Sequence, residues 1–216
     1  MTTDPMSGPM RSALASLRRF VQPRAAGSTR CELCSAELPY DHAHLVELSS
    51  RRLCCACEAC AILFSNPAAP KYRRVPRHVL FLTDFRLTDV QWEGLQLPIN
   101  LAFFLHSTSA GRGVPLYPSP AGATEALPPP DAWQALVEDN LGLSDLEPDV
   151  EALLVNRLGA NAEHYRVGID TCYALVGVVR THWRGLSGGT KVWAEIERFF
   201  ASLKHRSRPT EGRWHA

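Results

Sequence analysis

Nowhere in the chain do apolar residues run to the roughly 20 that a membrane-spanning helix needs, which argues against a membrane protein. Charge of one sign is missing too. The 23 Lys+Arg stand against 22 Asp+Glu, a net of +1, so no global field draws the protein to nucleic acid or to an anionic surface. No internal repeat and no G-x4-G-K-[ST] phosphate loop occurs. "SLRRFVQP" has the paired arginines of an export signal, but Pro23 and the polar "RAAGSTR" follow it instead of an apolar run. A short amphipathic helix over about residues 10–21 and a cytoplasmic location are expected. Cysteine is nearly absent outside one segment: six of the seven lie between Cys31 and Cys60. In a reducing compartment, thiols clustered in this way serve metal binding rather than disulfides.

Hydrophobic residues make up 45% and charged residues 21%, the balance of a globular protein able to bury a core. The charge divides unevenly. Residues 1–78 hold 11 basic and 6 acidic residues, a net of +5; residues 79–216 hold 12 and 16, a net of −4. An α+β architecture in parts is expected: a lead-in over 1–29, a metal-binding module over 30–65, a linker over 66–76, an α+β domain over 77–206 and a frayed tail over 207–216. In the larger part, "RHVLFL" (77–82) and "GVPLYP" (113–118) read as strands, and "LPINLAFFLH" (97–106) suits a buried strand, with a helix left open because pattern alone does not separate the two. The proline-rich "AGATEALPPP" (121–130) reads as loop. "VEALLVNRLGANAEHYRVGI" (150–169) reads as two strands joined near Gly159–Asn161. Helices are expected over 131–140 with Asp131 as cap, over 170–183 with Asp170 as cap and Cys172 on its apolar stripe, and over 190–206 with Thr190 as cap.

The cysteines carry the strongest signal. Cys31-x2-Cys34 and Cys57-x2-Cys60 are separated by 22 residues. Two intervening residues let a tight knuckle point both sulfurs at one ion, and two knuckles complete a tetrahedron. "HLVEL" and "RRLCCA" flank "SS" as a hairpin would, and "CAILF" reads as a helix start. The whole suggests a small treble-clef or zinc-ribbon-like module whose folding energy comes from its metal. Thiolates select zinc or iron over Mg²⁺ or Ca²⁺. Rubredoxin-type iron knuckles place Gly after their second cysteine; Ser35 and Ala61 stand there, which favours zinc with iron as the alternative. Cys54 offers another partner for Cys57, although neighbouring strand residues face opposite sides, so Cys54 and Cys55 also suit ordinary packing. A mixed site with one His replacing a Cys stays open.

"DHAH" lies between the knuckles. In HNH nucleases of treble-clef form a comparable Asp-His pair does chemistry, and here His42 or His44 would be the base and Asp41 its orienter. No Asn follows before Cys57, and no His follows Cys60 in "CAILF". "KYRR" (71–74) has the charge for phosphate contacts but reads as solvated linker, so nucleic acid is not the expected partner. "WRGLSGGTKVW" (183–193) could cradle an anion or simply open a helix. Trp183, Trp193, Phe199 and Phe200 suit a core or a partner-facing groove. No nucleophile, base and oxyanion set stands out.

The combination of "CELC…HAHLVEL…RRLCCACEACAILF", "VLFLTDFRLTDVQWEGLQLPINLAFFLH", "YPSPAGATE" and "HWRGLSGGTKVW" is similar to an uncharacterised bacterial family often encoded beside nickel–iron hydrogenase genes. The resemblance covers about residues 30–205. It implies an accessory role, with a hydrogenase subunit or a maturation factor as protein partner, and it carries over no catalytic residue. Three functions are therefore expected to compete: a non-catalytic accessory or adaptor protein, a rubredoxin-like iron electron carrier, and an HNH-like nuclease.

Overall fold

The computed structural model describes residues 29–65, 71–160 and 162–210; the amphipathic helix expected over 10–21 lies outside them. The described chain is mixed α/β with two sheets. The first is small: β1 (Ala43–Glu47) pairs antiparallel with β2 (Arg52–Ala56) and, on its other edge, with β3 (Tyr72–Arg74). α1 (Glu58–Phe64) follows β2 directly. The hairpin register pairs Ala43 with Ala56, His44 with Cys55 and Leu45 with Cys54. Side chains alternate, so Ala43, Leu45, Cys54 and Ala56 fall on one face with Tyr72 and Ala61, as the core of the small lobe. Val46 and Leu53 lie on the opposite face and pack with the rest of the molecule.

The second sheet has the order β10-β4-β9-β8-β5-β6-β7. Its strands are β4 (Val79–Phe81), β5 (Leu101–Ser107), β6 (Arg112–Ser119), β7 (Gly122–Glu125), β8 (Glu151–Asn156), β9 (Glu163–Gly168) and β10 (Arg208–Pro209). Only β10 against β4 is parallel. Both faces are covered. Leu101, Phe103, Ala152 and Leu154 point to one core with α4 (Ile169–His182) and α5 (Gly189–Arg206). Ala102, Phe104, Leu153 and Val155 point to another, under α2 (Asp89–Gly94), α3 (Pro130–Asp139) and a 3-10 turn over Leu141–Asp145. Burial on both sides explains why "LAFFL" and "ALLV" are continuous apolar runs rather than alternating ones.

Several expectations need correction. Tyr72–Arg74, read as linker, forms β3, because the backbone of this basic segment completes the edge of β1. Gly122–Glu125, read as loop, forms β7 beside β6; the prolines that suggested a loop begin only at Pro128. Arg208–Pro209, read as frayed tail, adds a parallel edge to β4. Thr88 opens α2 with a full capping box to Gln91. None of Asp131, Asp170 and Thr190 caps its helix: Pro129, Gly168 and Gly188 hold those positions. Gly188, at φ 85°, takes a left-handed conformation suited to glycine.

Candidate metal centre

Two tight structures deliver the four sulfurs. In the first knuckle Cys31 N–H donates to Ala36 O at 2.8 Å, and Ser35 N–H donates to Cys31 O at 2.8 Å. Closing that turn places Ser35 at φ 65°, the left-handed region where glycine is the usual occupant. In the second knuckle Cys57 is the N-cap of α1, and its sulfur accepts the Cys60 N–H at 3.5 Å. The ligand atoms of Cys31, Cys34, Cys57 and Cys60 all lie within 4.8 Å of one another. Cys34 Sγ and Cys57 Sγ are 3.7 Å apart. That is far beyond the disulfide length of about 2.05 Å, and it matches the edge of about 3.8 Å of a tetrahedron with metal–sulfur bonds of about 2.3 Å. These four cysteines could hold a metal ion.

The electrostatics point the same way. Burial pushes the Cys31 thiol up, but backbone N–H groups of Cys57, Cys34 and Leu33 around its sulfur outweigh that and bring it down to about 6. Cys60 moves oppositely, pushed up to about 12 by burial and by the neighbouring sulfurs. The Ala36 N–H favours the Cys34 thiolate, yet the adjoining Cys31 and Cys57 thiols carry its net shift upward. Cys31 thus holds its charge readily while Cys34 and Cys60 resist adding more; a cation at the centre favours the thiolates together.

The remaining sequence candidates are distributed as follows. Cys54 is buried in the core of the small lobe, outside the four-sulfur group. Cys172 is buried among the residues of α4 and the large sheet. Asp41 is exposed and paired with Arg77, so it orients neither histidine. His44 Nδ1 instead meets Asp170 Oδ2 at 2.9 Å, and His42 Nδ1 meets Pro39 O at 2.9 Å. Together with Cys55, His42 and His44 form a second group of ligand atoms within 4.8 Å of one another. Sequence reasoning left that group unassembled. A hairpin centred on Ser49–Ser50 pairs positions whose numbers sum to 99, and so sets His44 opposite Cys55; that was the available signal.

Around "WRGLSGGTKVW" the indole N–H groups donate to loop carbonyls, Trp183 to Gly185 at 2.9 Å and Trp193 to Ser187 at 3.1 Å. The two rings meet edge to face at 5.9 Å. The segment is a self-braced turn opening α5. A groove of about 850 Å³ runs between α5 and the β8–β9 turn. Two of its charged residues engage each other: Glu163 accepts from Lys204 at 2.8 Å, and also from the Tyr165 hydroxyl at 3.1 Å. At the start of β8, buried Glu151 binds Arg166 and lies 2.6 Å from His78. Burial would raise its carboxyl, but Arg166, the Glu147 N–H and His78 together hold it below the usual range. No helix among the described residues is long and apolar enough to cross a membrane.

A family model described as "Family of unknown function (DUF5947)" matches residues 30–207. No curated protein and no solved structure matches the chain.

Proposed function

The chain belongs to DUF5947, a family of unknown function, and from that premise we propose that it is a metal-stabilised, non-catalytic accessory protein. The observation that carries this reading is the convergence of four sulfurs from two sequence-distant knuckles. The knuckle over Cys31–Cys34, the β1–β2 hairpin and a second pair of sulfurs at the start of α1 support a treble-clef arrangement. All four coordination positions of a tetrahedral ion are then taken by protein, as in structural rather than catalytic sites. Zinc is the proposed ion: residues 35 and 61 are not the glycines that iron knuckles use, and a left-handed serine stands at the first of them. Partner recognition by the small lobe is supported by Ile62 and Leu63, which stand exposed on α1. The resemblance given by the sequence supplies the class of partner, a nickel–iron hydrogenase subunit or maturation factor in the cytoplasm.

Full-length untagged protein is expected to be colourless and to retain one tightly held zinc after dialysis against a weak chelator. Deleting its gene is expected to impair hydrogenase assembly, and Ile62→Asp with Leu63→Asp to fail to restore it while keeping the zinc. A red protein with iron–thiolate bands would establish the electron carrier instead. Normal hydrogenase assembly without the gene would remove the accessory role.

A further inference from the structure

Between the small lobe and α4 lies a cluster that shares no residue with the four-sulfur centre. β1 and β2 place His44 opposite Cys55 on the face turned away from the small lobe's own core. His42 enters just before β1, its ring centroid 4.7 Å from that of His44. A ring nitrogen from each histidine and the Cys55 sulfur all lie within 4.8 Å of one another.

The hydrogen bonds of these rings decide what they can still do. Pro39 O and the Asp170 carboxylate can only accept, so Nδ1 of each ring carries the proton and donates. In its neutral form each imidazole then carries its lone pair on Nε2, the tautomer of a metal ligand. His42 Nε2 is buried and has no hydrogen-bond partner among the described residues. An unpartnered buried nitrogen carries a desolvation cost that a bound cation would offset. A carboxylate behind a ligating histidine, as Asp170 stands behind His44, fixes the ring and raises its basicity. Cys55 is itself held in place: its N–H donates to Glu32 Oε1, and its carbonyl accepts the Glu32 N–H, both at 2.9 Å.

We propose that His42, His44 and Cys55 form a second metal site, for a divalent transition ion such as Zn²⁺ or Co²⁺, with Asp170 as the residue that orients His44. Two imidazoles and one thiolate suit borderline ions and reject Mg²⁺ and Ca²⁺. Three protein donors are the complement of zinc sites that keep a fourth position for water or another ligand, so this site is exchangeable where the four-sulfur site is closed. The inference stands apart from the accessory role, and holds whether the four sulfurs carry zinc or iron.

The test is a Co²⁺ titration of full-length protein from which a weak chelator has stripped loosely held ions. One additional equivalent is expected, with a near-ultraviolet sulfur-to-cobalt band. Cys55→Ser should abolish the band, whereas Cys54→Ser, altering a sulfur on the opposite face, should leave it. Asp170→Asn should weaken Co²⁺ binding by about 10- to 100-fold, with the tightly held ion of the four-sulfur centre unchanged. That retained ion reports intact folding of the small lobe in each variant. Absence of the additional equivalent in the unaltered protein overturns the site, as does a band that survives Cys55→Ser. Unchanged affinity in Asp170→Asn overturns the role of that carboxylate. Loss of the tightly held ion alone would count against the four-sulfur centre, not this one.

Discussion

His164 shows how one buried side chain imposes a pH dependence on the whole protein. It lies on β9 with its ring 4.8 Å from that of Phe85, and its Nε2 has no hydrogen-bond partner among the described residues. Burial, helped by the Arg157 charge, pushes it down from 6.5 to about 4. The unfolded chain therefore binds a proton between those values that the folded chain refuses. Stability is undiminished above pH 6.5 and falls as pH drops toward 4, by about 3 kcal/mol across the window. Urea unfolding at pH 7 and pH 4.5 should show that loss, and His164→Leu should remove most of the difference between the two pH values; an equal loss in both proteins would refute it. At this scale the sequence was legible in parity. Adjacent Cys54 and Cys55 had to face opposite ways in a strand, and they do, one into the core of the small lobe and the other toward His44. What stayed hidden was Asp170, 126 residues from the histidine it meets, because nothing local marks a contact made only when two distant elements pack.

At the scale of elements, β6 and α3 depend on a missing side chain. A Cβ on Gly113 would fall 2.1 Å from Trp133 Cε2. The indole occupies that space and stacks on Phe104, the centroids 5.6 Å apart. Gly113→Ala should therefore displace α3 from the sheet, costing about 1–3 kcal/mol and lowering Tm by roughly 2–4 °C per kcal/mol for a chain of this size. Adding Trp133→Leu to Gly113→Ala should cost less than it does alone, since the clash disappears with the ring; strictly additive losses would show that the two residues do not interact. β8, α4 and α5 could be read directly from their patterns, whereas the apolar run of β5 suited a strand or a helix until its pairing with β6 and β8 decided it. β3, β7 and β10 could not. Each is short, and each exists because a neighbouring strand offers unpaired backbone groups, which composition does not encode.

For the molecule as a whole, two sheets of unequal self-sufficiency are joined along one seam. The large sheet has helices over both faces. The small lobe has a core of a few side chains, three of them cysteines, too little apolar area to hold the lobe together unaided. The opposite face of its sheet borrows support, with Val46 of β1 and Val75 just past β3 in the core beneath α4 and α5 and Arg73 donating to Pro148 O at 2.9 Å. A metal on the four sulfurs would supply the missing energy locally. Its removal should accordingly unfold one lobe and spare the other. With a strong chelator and a reductant, amides of β1, β2 and α1 should exchange at least about 100-fold faster, equivalent to about 3 kcal/mol of lost local stability, while those of β5, β8 and β9 keep their protection. Because β1 also rests on the larger core, its amides should retain more protection than those of α1, whose Ile62 and Leu63 face solvent. Uniform acceleration in both sheets would mean that the ion stabilises the molecule as one unit, and unchanged exchange in β1 and α1 would mean that the four cysteines hold nothing the fold requires.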